Sequence, residues 1–325
     1  MTSKNVTLNR PKYLKGSLGS DASKTPKARA PFGYYGAKLR IASKIVTALP
    51  PHNAWVEAFC GSAALTLAKK PAPIEVINDL DGQIVNLFRQ LRDKPGALCR
   101  SVALTPYARA EFQNARKSKT NDNPLERARK FIVAAMMTVN GTVGSPTGSG
   151  FSFSQSYARE GREARVSRWY NLPERLARVA ERLRNVRIEN RDARELLEMF
   201  SDRPATLVYL DPPYFVVRRH TYTIDARDEP FHRELLEVCC KARCMILLSG
   251  YDNDLYKRTL TRERGWECIA FQTSTRNTTG KDFTRTEMFW KNKYYVKAER
   301  TGRVPVRLTA KEKAENKINP VRKRL

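Results

Sequence analysis

Residues 206–215, TLVYLDPPYF, constrain the fold more than any other stretch of the sequence. Their first half, Thr206–Leu210, is short, apolar and rich in β-branched and aromatic residues, which predicts a buried strand. Pro212 and Pro213 cannot continue a central strand because neither has an N–H group for the ladder. We therefore expect Asp211 to stand at the carboxyl edge of an α/β sheet, where ligands bind.

This corner has the groups that a flat base with an exocyclic amino group requires. The Asp211 carboxylate and the Pro212 carbonyl can each accept one hydrogen of the amine, and Tyr214 can stack on the ring. When both N–H bonds are held, the nitrogen lone pair can face an electrophile. The simpler alternative is a strand that ends in a Pro-Pro turn.

The composition predicts a polyanionic partner. The chain has 325 residues, a formal net charge of +27 and a pI of about 10.1, which is typical of proteins that bind nucleic acid. Residues 1–30 carry +6 and residues 297–325 carry +7, so residues 31–296 keep +14. Basic tails that only aid solubility do not explain this remainder.

Several protein classes are excluded. No apolar run approaches the roughly 18 residues of a membrane-spanning helix, and residues 1–30 lack the apolar region of a secretory signal. The six cysteines have no C-x-x-C spacing and the three histidines are scattered, so we expect reduced thiols, no metal site and a cytoplasmic location. The absence of a G-x-G-x-x-G fingerprint argues against a Rossmann dehydrogenase.

Three segments in the first third of the chain predict a ligand site at strand ends. The Gly- and aromatic-rich loop of residues 31–38 suits closure over a charged, partly aromatic ligand. A predicted strand at residues 55–59 leads through the small-residue turn of residues 60–63 into a helix, so that a ligand can approach the backbone. The next strand, Ile74–Asn78, ends at Asp79, and an acid at this position of a βαβ unit can bind both ribose hydroxyls.

Residues 105–185 interrupt the α/β alternation with a mainly helical region that has fifteen Lys/Arg and seven Asp/Glu. The run rich in Gly, Ser and Thr at residues 140–155 can read base edges while arginines hold phosphates. The candidate phosphate-binding arginines are Arg159, Arg162, Arg165 and Arg168 in this region, and Arg218 and Arg219 after the proline corner. The alternative is a solvated insertion without a binding role.

The α/β pattern then resumes, and the chain is predicted to have four parts. They are a basic disordered tail (residues 1–29), a catalytic core (residues 30–104 and 186–296), the helical insertion (residues 105–185) and a second basic tail (residues 297–325).

The order of these motifs resembles the DNA adenine methylase (Dam-like) family of N6-adenine methyltransferases over roughly residues 30–295. The carriers of the resemblance are the aromatic/Gly loop with Lys38, Phe59-Cys-Gly-Ser62, Asn78-Asp79, the basic insertion and, most specific, Asp211-Pro-Pro-Tyr214. Leu248-Ser-Gly-Tyr251 and Arg285-Thr-Glu-Met-Phe-Trp290 look like further family segments.

The resemblance implies an α/β fold, the class I S-adenosylmethionine-dependent methyltransferase fold, which is Rossmann-like with a mostly parallel seven-stranded sheet and an inserted, mainly helical target-recognition subdomain. It also implies that S-adenosyl-L-methionine, without a metal, supplies a methyl group to an adenine N6 atom flipped out of double-stranded DNA at a specific site. The residues that match the catalytic corner are Asp211, Pro212, Pro213 and Tyr214. The residues that match the cofactor site are Tyr34, Lys38, Phe59, Gly61, Ser62, Asp79, Asp192 and Asp211.

Two positions depart from the family's pattern. The turn usually has a second glycine where this chain has Ala63, and a proline usually stands where this chain has Ala58. A β-carbon at Ala63 narrows the cofactor site, although alanine is tolerated at negative φ. Neither change removes a reacting group.

Other interpretations stay open from the sequence. The N4 amine of cytosine and adenines of structured RNA offer the same donor geometry, and Ala63 alone suggests a DNA-binding relative without catalysis. The family often serves restriction–modification systems or phages, which implies a prokaryotic or phage origin and a possible restriction endonuclease partner. The sequence specifies neither the recognised bases nor the oligomeric state.

Overall fold

The computed structural model describes residues 28–34, 38–39, 41–117, 122–139, 142–143, 150–154, 158–159, 161–213, 229–276 and 282–306. The strands in these parts are β1 (Gly33–Tyr34), β2 (Ala54–Glu57), β3 (Ile74–Asn78), β4 (Thr142–Val143), β5 (Ala158–Arg159), β6 (Arg162–Glu163), β7 (Val186–Glu189), β8 (Thr206–Leu210), β9 (Met245–Gly250), β10 (Glu267–Arg276) and β11 (Asp282–Lys291). The helices are α1 (Ala42–Thr47), α2 (Ala64–Ala68), α3 (Gly82–Asp93), α4 (Pro95–Ala103), α5 (Arg109–Arg116), α6 (Pro124–Met137), α7 (Ala164–Tyr170), α8 (Leu172–Leu183), α9 (Ala193–Phe200), α10 (Glu229–Lys241), α11 (Asp254–Thr259) and α12 (Lys293–Thr301).

The central sheet has seven strands in the spatial order β10-β11-β9-β8-β2-β3-β7. Strands β9, β8, β2, β3 and β7 are parallel, whereas β11 runs antiparallel between β9 and β10. The predicted class I methyltransferase fold with a mostly parallel seven-stranded sheet is confirmed. The strand order reverses between β2 and β8, and the crevice at the carboxyl edge beside such a reversal is where open α/β sheets bind ligands.

The central strand β8 is buried along its whole length because helices cover both faces of the sheet. Val208 and Leu210 share an apolar cluster with α9 and α10, whereas Leu207 and Tyr209 share another with α1, α2 and α12. The observed bounds of β3 and β8 are the predicted ones. A short buried strand without a helical period thus behaves as its sequence indicates.

The insertion is mainly helical in its described parts and shares an apolar core with the sheet. One cluster joins buried residues of α3, α4, α6 and α8 to β3 and β7, and its members include Leu87, Leu98, Ile132, Leu176, Ile77 and Ile188. A buried ion pair adds a second link, because Arg182 on α8 donates from Nη2 to Glu75 Oε1 on β3 at 2.9 Å. Lys69 Nζ contacts the same oxygen at 2.7 Å.

The predicted start of the C-terminal tail, residue 297, is wrong. Helix α12 continues to Thr301, because Asn292 caps its first turn and Tyr295 and Ala298 are buried on the sheet. The rest of that tail, residues 307–325, lies outside the described residues, as does most of the N-terminal tail. Among the helices that the structure describes, none has the length and hydropathy to cross a membrane.

Candidate active site

The Asp211 carboxylate lies directly after β8, and its position is fixed by two donors. Lys38 Nζ donates to both Oδ1 and Oδ2 at 2.8 Å, and Ser249 Oγ donates to Oδ1 at 2.7 Å. The Lys38 side chain is 3% exposed and that of Asp211 is 15% exposed. Since a carboxylate has about four lone-pair positions, the contacts with described residues leave one acceptor position, on Oδ2.

The sheet register explains why Ser249 reaches this carboxylate. Leu210 on β8 pairs with Leu248 on β9, so the next residue of each strand lies side by side at the carboxyl edge. Tyr209 contributes a third polar group, because its hydroxyl lies 3.0 Å from Ser249 Oγ. Burial, with the nearby Asp211 charge, raises the pKa of Tyr209 well above its ordinary value, so this hydroxyl keeps its proton.

The proline corner is only partly described. Pro212 is buried and Pro213 is half-buried, and both lie outside the β8 ladder as predicted. The predicted stacking residue Tyr214 and the predicted phosphate contacts Arg218 and Arg219 lie outside the described residues.

The turn after β2 is tied to both neighbouring strands. The Ala58 N–H donates to the Tyr209 carbonyl at 3.1 Å, and the Cys60 N–H donates to the Asn78 carbonyl at 2.8 Å. Gly61 has a φ of 48°, in the left-handed region that favours glycine. The turn of residues 60–63 and the Asp211 corner therefore lie on adjacent strands, on either side of the reversal in strand order.

Ala63 corrects one expectation, because its φ is 53° rather than negative. Its N–H donates to the Cys60 carbonyl at 2.6 Å, which closes the turn tightly before α2 begins. A left-handed conformation costs an L-residue roughly 1–2 kcal/mol. The alanine thus adopts a backbone conformation that favours glycine, and its methyl group is fully buried.

Ser62 and Phe59 have the character expected of cofactor contacts. The Ser62 hydroxyl is buried and has no hydrogen-bond partner among the described residues. A buried hydroxyl without a partner is destabilising, so a polar ligand group would satisfy it. Phe59 is half-buried, with its ring edge-on to Phe231 at a centroid distance of 6.4 Å.

Asp79 supports the turn and retains acceptor capacity. Its Oδ2 accepts the Gly61 N–H at 2.8 Å and its Oδ1 accepts the Asp81 N–H at 2.9 Å. With these two donors among the described residues, the carboxylate keeps acceptor capacity for a ligand hydroxyl. Burial raises the pKa of this carboxyl to about 6. The preceding residue, Asn78, joins three strand ends, since its Nδ2 donates to the carbonyls of Ala58 and Arg191 at 2.8 and 3.0 Å.

Of the predicted cofactor residues, Asp192 makes contacts within its own helix, and Tyr34 is described only in part. Asp192 caps α9 by accepting the Arg194 N–H at 2.8 Å, and it also binds the Arg194 guanidinium. That ion pair lowers the pKa of Asp192. Tyr34 is described in its backbone only.

The sequence analysis missed two carboxylates beside this site. Glu57, at the end of β2, accepts the Thr66 N–H at 2.9 Å, and burial raises its pKa to about 7. Glu287 on β11 places Oε2 3.8 Å from Lys38 Nζ. Glu287 and Ser249 both belong to segments that resemble the family, and this resemblance is the sequence feature that could have marked them as site residues.

Three of the predicted phosphate-binding arginines lie together on β6 and α7. Arg162 stacks over the exposed Tyr170 ring at 4.1 Å. Arg165 and Arg168 have no hydrogen bond or ion pair with any described residue, and burial, with the nearby Arg165 charge, lowers the pKa of Arg168. The fourth, Arg159, is described in its backbone only. Unpaired guanidinium groups of this kind suit phosphate oxygens.

The strand order, the turn after β2 and the carboxylate corner after β8 define a class I methyltransferase. Residues 34–266 match the family described as D12 class N6 adenine-specific DNA methyltransferase, and the chain belongs to this family. It is a DNA methyltransferase that modifies the N6 atom of adenine, and this membership implies the use of S-adenosylmethionine. The resemblance to N6-adenine methyltransferases is confirmed.

Solved structures give more distant similarities. Precorrin 8W decarboxylase from Methanobacterium thermoautotrophicum has 8% identity and a TM-score of 0.34, over 79% of this chain and 90% of that chain. The rRNA methyltransferase AviRa from Streptomyces viridochromogenes has 14% identity and a TM-score of 0.33, over 82% and 89%. No curated protein matches the sequence.

Proposed function

We propose that the chain is a site-specific DNA adenine-N6 methyltransferase that acts on an adenine extruded from the duplex. The observation that carries this proposal is the Asp211 carboxylate, which Lys38 and Ser249 hold in place while one acceptor position on Oδ2 remains. A fixed acceptor at the carboxyl edge suits an amine that must be oriented before it reacts.

The turn after β2 fits S-adenosylmethionine. Ser62 would satisfy its buried hydroxyl on this cofactor, and Asp79 would accept from the ribose hydroxyls. Phe59 and Gly61 would lie beside them, and Tyr34, Lys38 and Asp192 are further contacts by resemblance. When bound, the cofactor supplies a methyl group on a positively charged sulfur.

The corner orients the acceptor amine. Asp211 accepts one N6 hydrogen, the Pro212 carbonyl accepts the other, and Tyr214 stacks on the base, at about 1–3 kcal/mol. S-adenosylmethionine, when bound, would supply the methyl carbon that the N6 lone pair attacks, and neutral S-adenosylhomocysteine would leave. Asp211 and the Pro212 carbonyl would hold the N6 cation until it releases one proton to water. Negative charge beside N6 stabilises this cation, and no covalent bond to the protein forms.

Replacing Asp211 tests these roles. Asp211→Ala is expected to lower methylation by about 100-fold or more, while binding of S-adenosylhomocysteine, which has no charge on sulfur, changes by only a few fold. Asp252→Ala, which removes an exposed carboxylate paired with Lys257, is the matched control and should retain turnover. Normal turnover by Asp211→Ala would contradict the proposal. Mass analysis of the nucleosides should show N6-methyladenine and no N4-methylcytosine.

We assign the selection of the DNA sequence to be methylated to the helical insertion. Residues 140–155 would read base edges, and Arg159, Arg162, Arg165, Arg168, Arg218 and Arg219 would hold phosphates. Mapping modified adenines on long DNA should give one short recognition sequence, whereas methylation at unrelated sequences would refute site specificity. A restriction endonuclease of the same system would cut that sequence when it is unmodified. DNA that carries the mapped sequence, unmodified, is therefore the substrate with which to test for such a partner.

A further inference from the structure

Two carboxylates, those of Asp211 and Glu287, lie close to the charged amine of Lys38. Lys38 Nζ lies 2.8 Å from both Asp211 oxygens and 3.8 Å from Glu287 Oε2. Both carboxylate side chains are 15% exposed, so solvent screens these charges only weakly. Lys38 and Asp211 together are formally neutral, and Glu287 brings this group of three to −1.

The polar chain around Asp211 includes Ser249 and Tyr209. The Tyr209 hydroxyl lies 3.0 Å from Ser249 Oγ, which donates to Asp211 Oδ1. Glu57 lies on the neighbouring strand, but Thr66 holds its carboxylate through both the N–H and the hydroxyl groups. Among the described residues, Glu287 is therefore the second carboxylate, after Asp211, within 4 Å of Lys38 Nζ.

We propose that Glu287 is a positioning residue that offsets the charge of Lys38, so that the corner favours a cationic sulfonium over the neutral sulfur of the product. The inference rests on the proposed function, because it takes Asp211 as the reacting corner. Lys38 is needed to orient Asp211, yet its charge opposes a cationic ligand and the developing N6 cation. Glu287 on β11 offsets the charge of Lys38, so that Lys38 can still orient Asp211 while the corner attracts a cationic ligand.

The test is the ratio of the affinities for S-adenosylmethionine and S-adenosylhomocysteine, measured by calorimetry without DNA. Glu287→Gln is expected to weaken S-adenosylmethionine binding by about 10-fold and to leave S-adenosylhomocysteine binding within twofold. Lys38→Met should shift the ratio in the opposite direction, and the double variant should return it towards the wild-type value. The ratio cancels any contact that both ligands share.

Controls separate charge from packing. Glu299→Gln removes a carboxylate that pairs with Lys291 on the far edge and should leave the ratio unchanged. Should Glu287→Gln not fold, Lys38→Met alone still tests the charge balance. Equal weakening of both ligands, or an unchanged ratio in both single variants, would overturn the inference. The Asp211→Ala methylation assay is independent of this ratio, so the two proposals fail separately.

Discussion

Asp79 accepts the backbone N–H of Gly61 at 2.8 Å, which joins the acidic end of β3 to the turn after β2. The turn and the acid that are expected to hold opposite parts of one cofactor therefore position each other before any ligand arrives. A preorganised site of this kind avoids the entropy of ordering the turn on binding.

Replacing Asp79 should destabilise the turn. Asp79→Ala leaves the N–H groups of Gly61 and Asp81 without their acceptor, so the free energy of unfolding should fall by about 2 kcal/mol. Asp93→Ala removes an exposed carboxylate that pairs with its neighbour Arg92, and the change should stay below about 0.5 kcal/mol. Urea denaturation measures both, and equal effects would contradict the role of Asp79.

Glu57 predicts a pH dependence of stability. Its pKa is raised from 4.5 to about 7, so between these values the folded protein binds a proton that the unfolded chain releases. Stability therefore falls as the pH rises through this window, by about 3 kcal/mol. Glu57→Gln removes the titration, and the stability of the variant relative to wild type should rise by that amount from pH 4.5 to 7.5. A pH-independent difference in urea denaturation would show that the carboxyl does not titrate there.

Ser249 should affect turnover more than binding. Ser249→Ala deletes the 2.7 Å donor to Asp211 Oδ1, and the loosened carboxylate should lower kcat by about 10-fold with little change in KM. Tyr209→Phe, which removes a hydroxyl one step further from Asp211, should have a smaller effect. A raised KM with unchanged kcat for Ser249→Ala would mean that it acts on substrate binding instead.

Ala63 should tolerate glycine unusually well. Glycine relieves the left-handed strain at φ 53°, and this offsets the lost burial of a methyl group and the extra freedom of the unfolded chain. The free energy of unfolding should change by less than about 0.5 kcal/mol. Ala64→Gly, at a buried helical position of α2, should lower it by about 1–2 kcal/mol. Matching losses in the two variants would argue against strain at Ala63.

Arg168 should contribute to the salt dependence of DNA binding. If it contacts a phosphate, Arg168→Gln reduces the slope of log Kd against log salt by about 1. Arg178, whose guanidinium pairs with Glu174 on the exposed side of α8, is the control, and Arg178→Gln should keep the wild-type slope. Fluorescence anisotropy at several salt concentrations gives both slopes.

The strands and their acidic ends could be predicted, because a short apolar run that stops at a polar residue has few alternatives. Ile74–Asn78 and Thr206–Leu210 have the predicted bounds for this reason. The bridge between Lys38 and Asp211 could not be predicted, because 173 positions separate the two residues and they meet only in the folded chain.

The backbone conformation of Ala63 and the position of Glu287 near Lys38 could not be predicted from the sequence either. The residue type of Ala63 favours negative φ, and only the closed turn imposes the opposite sign. Glu287 was visible as part of a family segment, but its relation to Lys38 depends on β11 lying antiparallel beside β9.

The ion pair between Arg182 and Glu75 limits where the helical insertion can be exchanged for another. A chimera that received a foreign insertion up to residue 185 would lose the Arg182 guanidinium. The buried Glu75 carboxylate would then keep Lys69 as a partner but lack its arginine. Grafts should therefore end before α8, so that the recipient keeps its own arginine and only the part of the insertion that precedes α8 is exchanged.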